Sequence, residues 1–338
     1  MARIRPFRAL RYDGVDLAKV VAPPYDVISD EQRAGYLARS PYNIVHLTLP
    51  DSDEQAAEDL AEWTQEGVLV RDAEPAYWWL SQDYVGPDGV SRTRTGFVAA
   101  LHAEPYENRV VLPHERTHAG PKEGRLRLLR ATHTQLEPLF FLWDGTIDVD
   151  GLGEPDVQVD GDRLWRLDAE FGDALTEELA GAQLLIADGH HRYETALAFG
   201  QEWILAVIVP TDQEGLTIFP THRLAQSVNG VVGTPIDPPG DELPGVVLYR
   251  DGRYELVEGE GLDPEIVDDL KPEGVTYTPQ RADAVAAVDR GDAAAAFLLR
   301  PTQIEDVWEV AQRGDVMPQK STFFHPKLTS GLLLLPLD

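Results

Sequence analysis

The apolar run Leu184-Leu185-Ile186-Ala187 passes directly into Asp188-Gly189-His190-His191-Arg192-Tyr193-Glu194, and then into the alanine-rich run Thr195-Ala196-Leu197-Ala198-Phe199. Few folds accept that order. The first run has the length of a buried strand, and the last reads as the opening turns of a helix. A buried strand feeding a helix places the chain in the α/β class, with mixed sheets. The turn between them presents free backbone N–H groups and the positive end of a helix dipole, which suits an anion. Gly189 allows close approach or a positive φ. Arg192 and a neighbouring His suit phosphate, and Asp188 suits a metal ion or a hydroxyl. A plainer reading makes Asp188 the helix N-cap and leaves both His in solvent. Five polar, chemically able residues between two apolar elements favour a site.

The 338 residues allow about two domains or one large α/β domain. Twenty-nine basic against 58 acidic residues leave a net charge of −29. A surface that acidic excludes broad binding to nucleic acid and to an anionic membrane, while leaving room for a local basic pocket. The absence of cysteine excludes disulfides, thiolate zinc sites and Cys nucleophiles. There is no apolar run of membrane-spanning length, and Met1-Ala2-Arg3-Ile4-Arg5-Pro6-Phe7 lacks an apolar signal segment. The expectation is a soluble, cytoplasmic protein.

Taken in order, the chain begins with four arginines between Arg3 and Arg11, then Ala22-Pro23-Pro24-Tyr25-Asp26-Val27. The tandem prolines fix an extended backbone. Tyr25 and Asp26 read as a buried ring and a turn residue, or as members of a site. Ser29 with Gln32 three residues on predicts a capping box. Residues 41–50 predict a turn and then a strand, with Ile44, His46 and Thr48 on one face. Residues 51–70 predict an acidic helix with Ala56, Ala57, Leu60, Ala61 and Thr64 inward. Tyr77 to Leu101 predicts a hairpin turning at Gly86-Pro87-Asp88-Gly89, with Trp78 and Trp79 in the core.

A second polar cluster follows the short strand Val110-Val111-Leu112-Pro113. In it Glu115 fits either a general base or a surface ion pair, and Lys122 and Arg125 fit phosphate. His114-Glu115-Arg116-Thr117-His118 has the letters of a zinc-protease motif. That motif needs a regular helix, which Pro113 and Gly120-Pro121 disfavour. Strands are expected at 136–143, 203–209 and 216–220, and helices at 171–179, 281–290 and 302–313. His222-Arg223, at a strand end, and Lys320-Ser321-Thr322 are candidates for a substrate or secondary site. The latter lacks the glycines of a P-loop. Domains are expected at 1–105, 106–225 and 226–338.

Several of these stretches together resemble one known family. Ala22 to Val27, Asn43 to Leu49, His114-Glu115-x-Thr117, Ala187 to Glu194, Pro220-Thr221-His222-Arg223 and Met317-Pro318-x-Lys320-Ser321-Thr322-x-Phe324 resemble the bacterial and archaeal family called domain of unknown function 1015. The middle of the chain, from Glu115 through Arg125 and Pro138 to Arg192, is similar to the ParB/sulfiredoxin superfamily, which includes free L-serine kinases. The resemblance implies a ParB/sulfiredoxin-like core with N- and C-terminal elaborations, and nucleotide-dependent phosphoryl transfer. Asp188, Gly189, His190, His191 and Arg192 would then meet ATP or ADP and Mg²⁺, with Glu115 as base toward a small-molecule hydroxyl, most plausibly that of L-serine. Sulfiredoxin chemistry is excluded, because its cysteine is absent. Two other readings stand beside the kinase: a non-catalytic nucleotide switch of ParB type, and a metal-dependent hydrolase built on Asp188, His190, His191 and His114.

Overall fold

The computed structural model describes every residue except 116–118, 148 and 338, with positions 119–121 and 169 described by backbone alone. Among the described residues a nine-stranded mixed sheet forms the centre. Its strands are β1 (Ile4–Arg5), β2 (Tyr77–Val85), β3 (Ser91–His102), β4 (Val111–Leu112), β5 (Leu139–Trp143), β6 (Val157–Val159), β7 (Asp162–Leu167), β8 (Leu184–Asp188) and β9 (Trp203–Pro210). They lie in the order β4-β8-β5-β9-β3-β2-β7-β6, with β1 beside β3. The pairs β4·β8 and β5·β9 are parallel, and the others are antiparallel.

Alternation along the central strands explains why both faces are covered. Trp78, Val98, Phe140, Leu185 and Val207 enter one apolar cluster, while Trp79, Phe97, Phe141, Ile186 and Ile208 enter another. Leu175, Leu179, Tyr193 and Ala196 cover the second face from the helices Ala169–Leu179 and His190–Phe199. Val307, Val310 and Ala311 of the helix Ile304–Arg313 cover the first, with Met317, Phe324 and Leu328 of the C-terminal tail.

A second sheet has the strand order Thr234–Ile236, Arg253–Val257, Val246–Arg250, Ala295–Leu298, His222–Ala225, Thr276–Thr278. The tail then returns to the first sheet. Phe323–His325 pairs with Thr217–Phe219, and Leu335–Pro336 pairs with Thr134–Gln135. The central sheet spans the boundary expected at 105/106, since β3 pairs with β9 across six residues from Trp203↔His102 to Ile208↔Phe97.

The capping box at Ser29 forms as expected, opening the helix Asp30–Arg39. The hairpin and the three expected helices beyond residue 170 also form. The strand expected at 44–49 does not: Val45–Thr48 is a helical turn. Buried Asn43 causes this. Its Oδ1 accepts the Val45 N–H at 3.0 Å, and its amide donates to the Lys19 carbonyl at 2.7 Å. An apolar run this short satisfies either periodicity, so the turn made by the Asn43 side chain on its own backbone decides. In the acidic helix Asp53–Gln65, the buried residues are Ala56, Leu60 and Trp63, whereas Ala61 and Thr64, expected inward, are exposed.

Candidate functional site

Strand β8 ends at Asp188, and Gly189 turns the chain at φ +99° into the helix His190–Phe199. Gly189 itself is the N-cap, and it has no side chain with which to cap the helix. Asp188 is therefore not the cap that the plainer reading made it, and the helix presents its N-terminus, the positive end of its dipole, toward Asp188 and Gly189.

The Asp188 carboxylate is held from two sides. The Lys327 ammonium donates to Oδ1, and the Arg192 guanidinium donates to Oδ2 at 2.7 Å. Burial alone would raise this carboxyl. The charges of Lys327 and Arg192 outweigh burial and hold it well below the ordinary range. Arg192 also donates to the Pro138 carbonyl, so its fork points into the protein as well as toward the turn.

Behind Arg192 lies Glu137, a buried carboxyl that accepts from the Tyr25 N–H at 2.9 Å and the Ser330 hydroxyl at 3.0 Å. Burial raises its pKa, against the nearby charges of Arg192 and Arg125.

His114 and His190 meet edge to face, with ring centroids 4.7 Å apart. The His114 Nδ1–H donates to the Ile186 carbonyl at 2.7 Å, and its Nε2 accepts the Thr322 hydroxyl at 3.0 Å. The backbone N–H of His114 donates to His190 Nε2 at 3.3 Å. Since a backbone amide can only donate, His190 is neutral with its proton on Nδ1. Burial pushes the His114 imidazole down to about 4. Burial and the neighbouring His114 push His190 well down too.

These groups back a cavity of about 210 Å³, also lined by Tyr25, Asp26, Glu115, His191, Lys320 and Thr322. Glu115 is set there by a backbone bridge to Met317, and the Lys320 backbone N–H favours its charged form. Burial raises the Glu115 carboxyl; Lys320 pulls it down and Asp188 pushes it up. Lys320 is exposed, takes φ +58°, and its ammonium makes no hydrogen bond among the described residues. One concave surface thus carries a helix N-terminus, an exposed lysine and a carboxyl with a raised pKa. Such a surface can bind a phosphorylated molecule and accept a proton beside it.

A model of one family matches residues 4–234, more than half of the chain. It is described as a protein of unknown function, DUF1015. The chain belongs to this family. No curated protein matches it. Among solved structures, this DUF1015 chain is similar to a free serine kinase in complex with AMP (17% identity, TM-score 0.43, 66% of this chain and 89% of that one). It is also similar to a conserved hypothetical protein from Pyrococcus furiosus (18%, 0.41, 66% and 92%). A third is SbnI with a C-terminal truncation, from Staphylococcus aureus (11%, 0.45, 71% and 87%). Likeness of this degree carries no activity or ligand across.

Of the residues singled out in sequence, Glu115, Asp188, Gly189, His190, His191, Arg192, Lys320 and Thr322 line the one cavity. The others lie elsewhere. Lys122 pairs with Glu194 at 2.6 Å and lines a separate cleft with Tyr106 and Leu126. Arg125 stacks its guanidinium 4.1 Å above the Tyr25 ring and donates to the Thr48 carbonyl, supporting the cavity wall from behind. The Ser321 hydroxyl donates to the Pro318 carbonyl at 2.6 Å, and so shapes its own loop. Arg223 donates to the Thr221 carbonyl at 2.8 Å and reaches the Gln319 carbonyl at 3.4 Å; His222 faces a different cavity. Arg116, Thr117 and His118, the remainder of the zinc-protease letters, lie outside the described residues.

Sequence reasoning gave no role to Lys327 or Glu137 and left Tyr25 and Asp26 undecided, yet all four take part in this arrangement. Glu137 carried a signal, as a lone charge in the run Leu136-Glu137-Pro138-Leu139-Phe140. Lys327 carried none, because its partner is 139 positions away.

Magnesium was expected on Asp188. Both its oxygens already meet protein cations, and no group of three or more His, Asp or Glu among the described residues is disposed to hold a metal. His114, needed for the hydrolase reading, has both ring nitrogens engaged. The residues present do not fit a protein-held metal ion at Asp188. No helix among the described residues is long and apolar enough to cross a membrane.

Proposed function

We propose that this chain is a small-molecule phosphotransferase that moves a phosphoryl group from ATP or ADP to a free hydroxyl, with L-serine the leading acceptor. The observation that carries the proposal is the shared cavity of Glu115 and the N-terminus of the helix His190–Phe199, which opens at Gly189. Phosphoryl transfer asks the protein for charge stabilisation and positioning more than for a strong nucleophile. The helix N–H groups, His191 and Lys320 would hold the phosphates. Lys327 and Arg192 fix Asp188, so that the turn keeps its shape when a polyanion arrives. The acceptor oxygen bonds to the terminal phosphorus as the bond from that phosphorus to the bridging oxygen breaks. The electron pair leaves on ADP or AMP, and Glu115 takes the hydroxyl proton. Mg²⁺ would enter as the counter-ion of the nucleotide rather than as a ligand of Asp188.

A phosphorus NMR time course of the purified chain with ATP or ADP, Mg²⁺ and L-serine tests this. Growth of an O-phosphoserine resonance, abolished by Glu115→Gln, is the expected result. Shifted nucleotide resonances without product, for serine and for a panel of other small alcohols, would replace the transferase with a nucleotide-binding switch.

A further inference from the structure

A second cavity, of about 590 Å³, opens between the hairpin turn at Pro87-Asp88 and the second sheet. His222 lies in its wall and is only 2% exposed. The Leu299 backbone N–H donates to His222 Nδ1 at 3.1 Å, which fixes the neutral tautomer with the proton on Nε2. That Nε2–H has no partner among the described residues. Burial, with Arg281 nearby, pushes this imidazole down to about 4, so it meets any ligand as an uncharged donor.

The charges around His222 narrow the ligand. Arg300 is matched by Asp263 at 2.5 Å, and Asp88 by Arg92 at 2.7 Å. That leaves Arg281 on the same wall, and Asp241 and Glu242, which make no ion pair among the described residues. Arg281 donates to the carbonyls of Pro239 at 2.7 Å and Gly240 at 2.6 Å, which ties the two acids to its own neighbourhood. A doubly charged phosphate would meet one cation and two anions, an unfavourable balance. A zwitterion meets an opposite charge at each end, with its carboxylate toward His222 and Arg281 and its ammonium toward Asp241 and Glu242. Phe219, Leu243 and Leu299 offer the remaining wall to an apolar side chain.

We propose that this cavity is a binding site for a free α-amino acid with an apolar side chain, separate from the cavity around Asp188. The site does not depend on the transferase reading. The test uses the full chain with ¹⁵N-labelled histidine, the His222 ring signal being identified by its loss in His222→Gln. L-Phenylalanine, 3-phenylpropionate (which lacks the ammonium) and inorganic phosphate are titrated in turn. The expected result is a saturable His222 shift with phenylalanine. In the double variant Asp241→Asn, Glu242→Gln, on the exposed rim, phenylalanine should weaken by at least about tenfold, the scale of one lost charge-assisted contact, while phenylpropionate holds. No saturable shift with phenylalanine would overturn the site. A shift driven by phosphate alone, or equal loss of phenylalanine and phenylpropionate in the double variant, would overturn the ligand class.

Discussion

Lys327 meets the carboxylate of Asp188 across 139 positions of the chain, while Arg192 meets it from only four positions away. One cation is local to the turn, and the other arrives only when the C-terminal tail has folded back onto the central sheet. The strand–turn–helix unit supplies the geometry of the site, and the tail supplies the charge that lets a buried aspartate stay ionised there. The Phe323–His325 strand, which pairs with Thr217–Phe219, delivers Lys327 to that position.

Lys327→Ala should destabilise the fold by about 3–5 kcal/mol, the cost of stripping one partner from a buried charge. Asp188 titrates below its unfolded value, so its stabilising effect is complete above about pH 4 and is lost as pH falls through the lowered folded value. Without Lys327 the folded carboxyl rises, and acid unfolding should begin at higher pH. Urea midpoints of both proteins from pH 7 down to pH 3 measure this. Equal midpoints across the range would show that the pair contributes nothing.

Glu115→Gln should cut turnover by about 10²–10⁴-fold, the usual worth of a positioned base, and leave nucleotide affinity close to that of the parent. The wild-type rate should rise with pH through a value above the ordinary glutamate range of about 4.3, because burial raises this carboxyl. Lys320→Ala should move that limb further up, since Lys320 is the larger opposing influence. A pH–rate profile that ignores both substitutions would remove Glu115 from the chemistry.

Between about pH 6.5 and 4, His114 should make the fold lose stability as acid is added. Its folded pKa lies below the unfolded one, so the unfolded chain binds the proton first. Stability is therefore complete above about 6.5 and falls until the pH reaches the folded value. The size follows from the gap, roughly 3 kcal/mol for this one group. His114→Gln should flatten the slope of unfolding free energy between pH 7 and 5. An unchanged slope would mean that His114 takes up its proton at the same pH in the folded and unfolded chains.

The strand–turn–helix unit at Asp188 was legible because its apolar run, its glycine and its alanine-rich exit lie next to one another, and local sequence fixes local structure. The trans-chain partners were not. Nothing near Lys327 marks it as Asp188's partner, and nothing near Asn43 says that its buried amide bonds to Lys19 and overrides the strand-like alternation of Ile44 to Leu49. His222 and Arg223 looked like a site pair because they adjoin in sequence. On a strand, neighbours point to opposite sides. His222 faces its own cavity, and Arg223 reaches the Gln319 carbonyl.

Gly189→Ala tests whether the turn itself binds the nucleotide. Its φ of +99° lies where a side chain is strained, and an added Cβ would stand 3.2 Å from the Arg192 guanidinium. The strain costs about 1–3 kcal/mol, and any change of φ that relieves it re-aims the first N–H groups of the helix. AMP affinity by calorimetry should fall by about tenfold or more, while L-phenylalanine at His222 keeps its affinity, because the two cavities are lined by different residues. AMP bound equally well by Gly189→Ala would move the phosphate away from this helix N-terminus and leave Lys320 as its anchor.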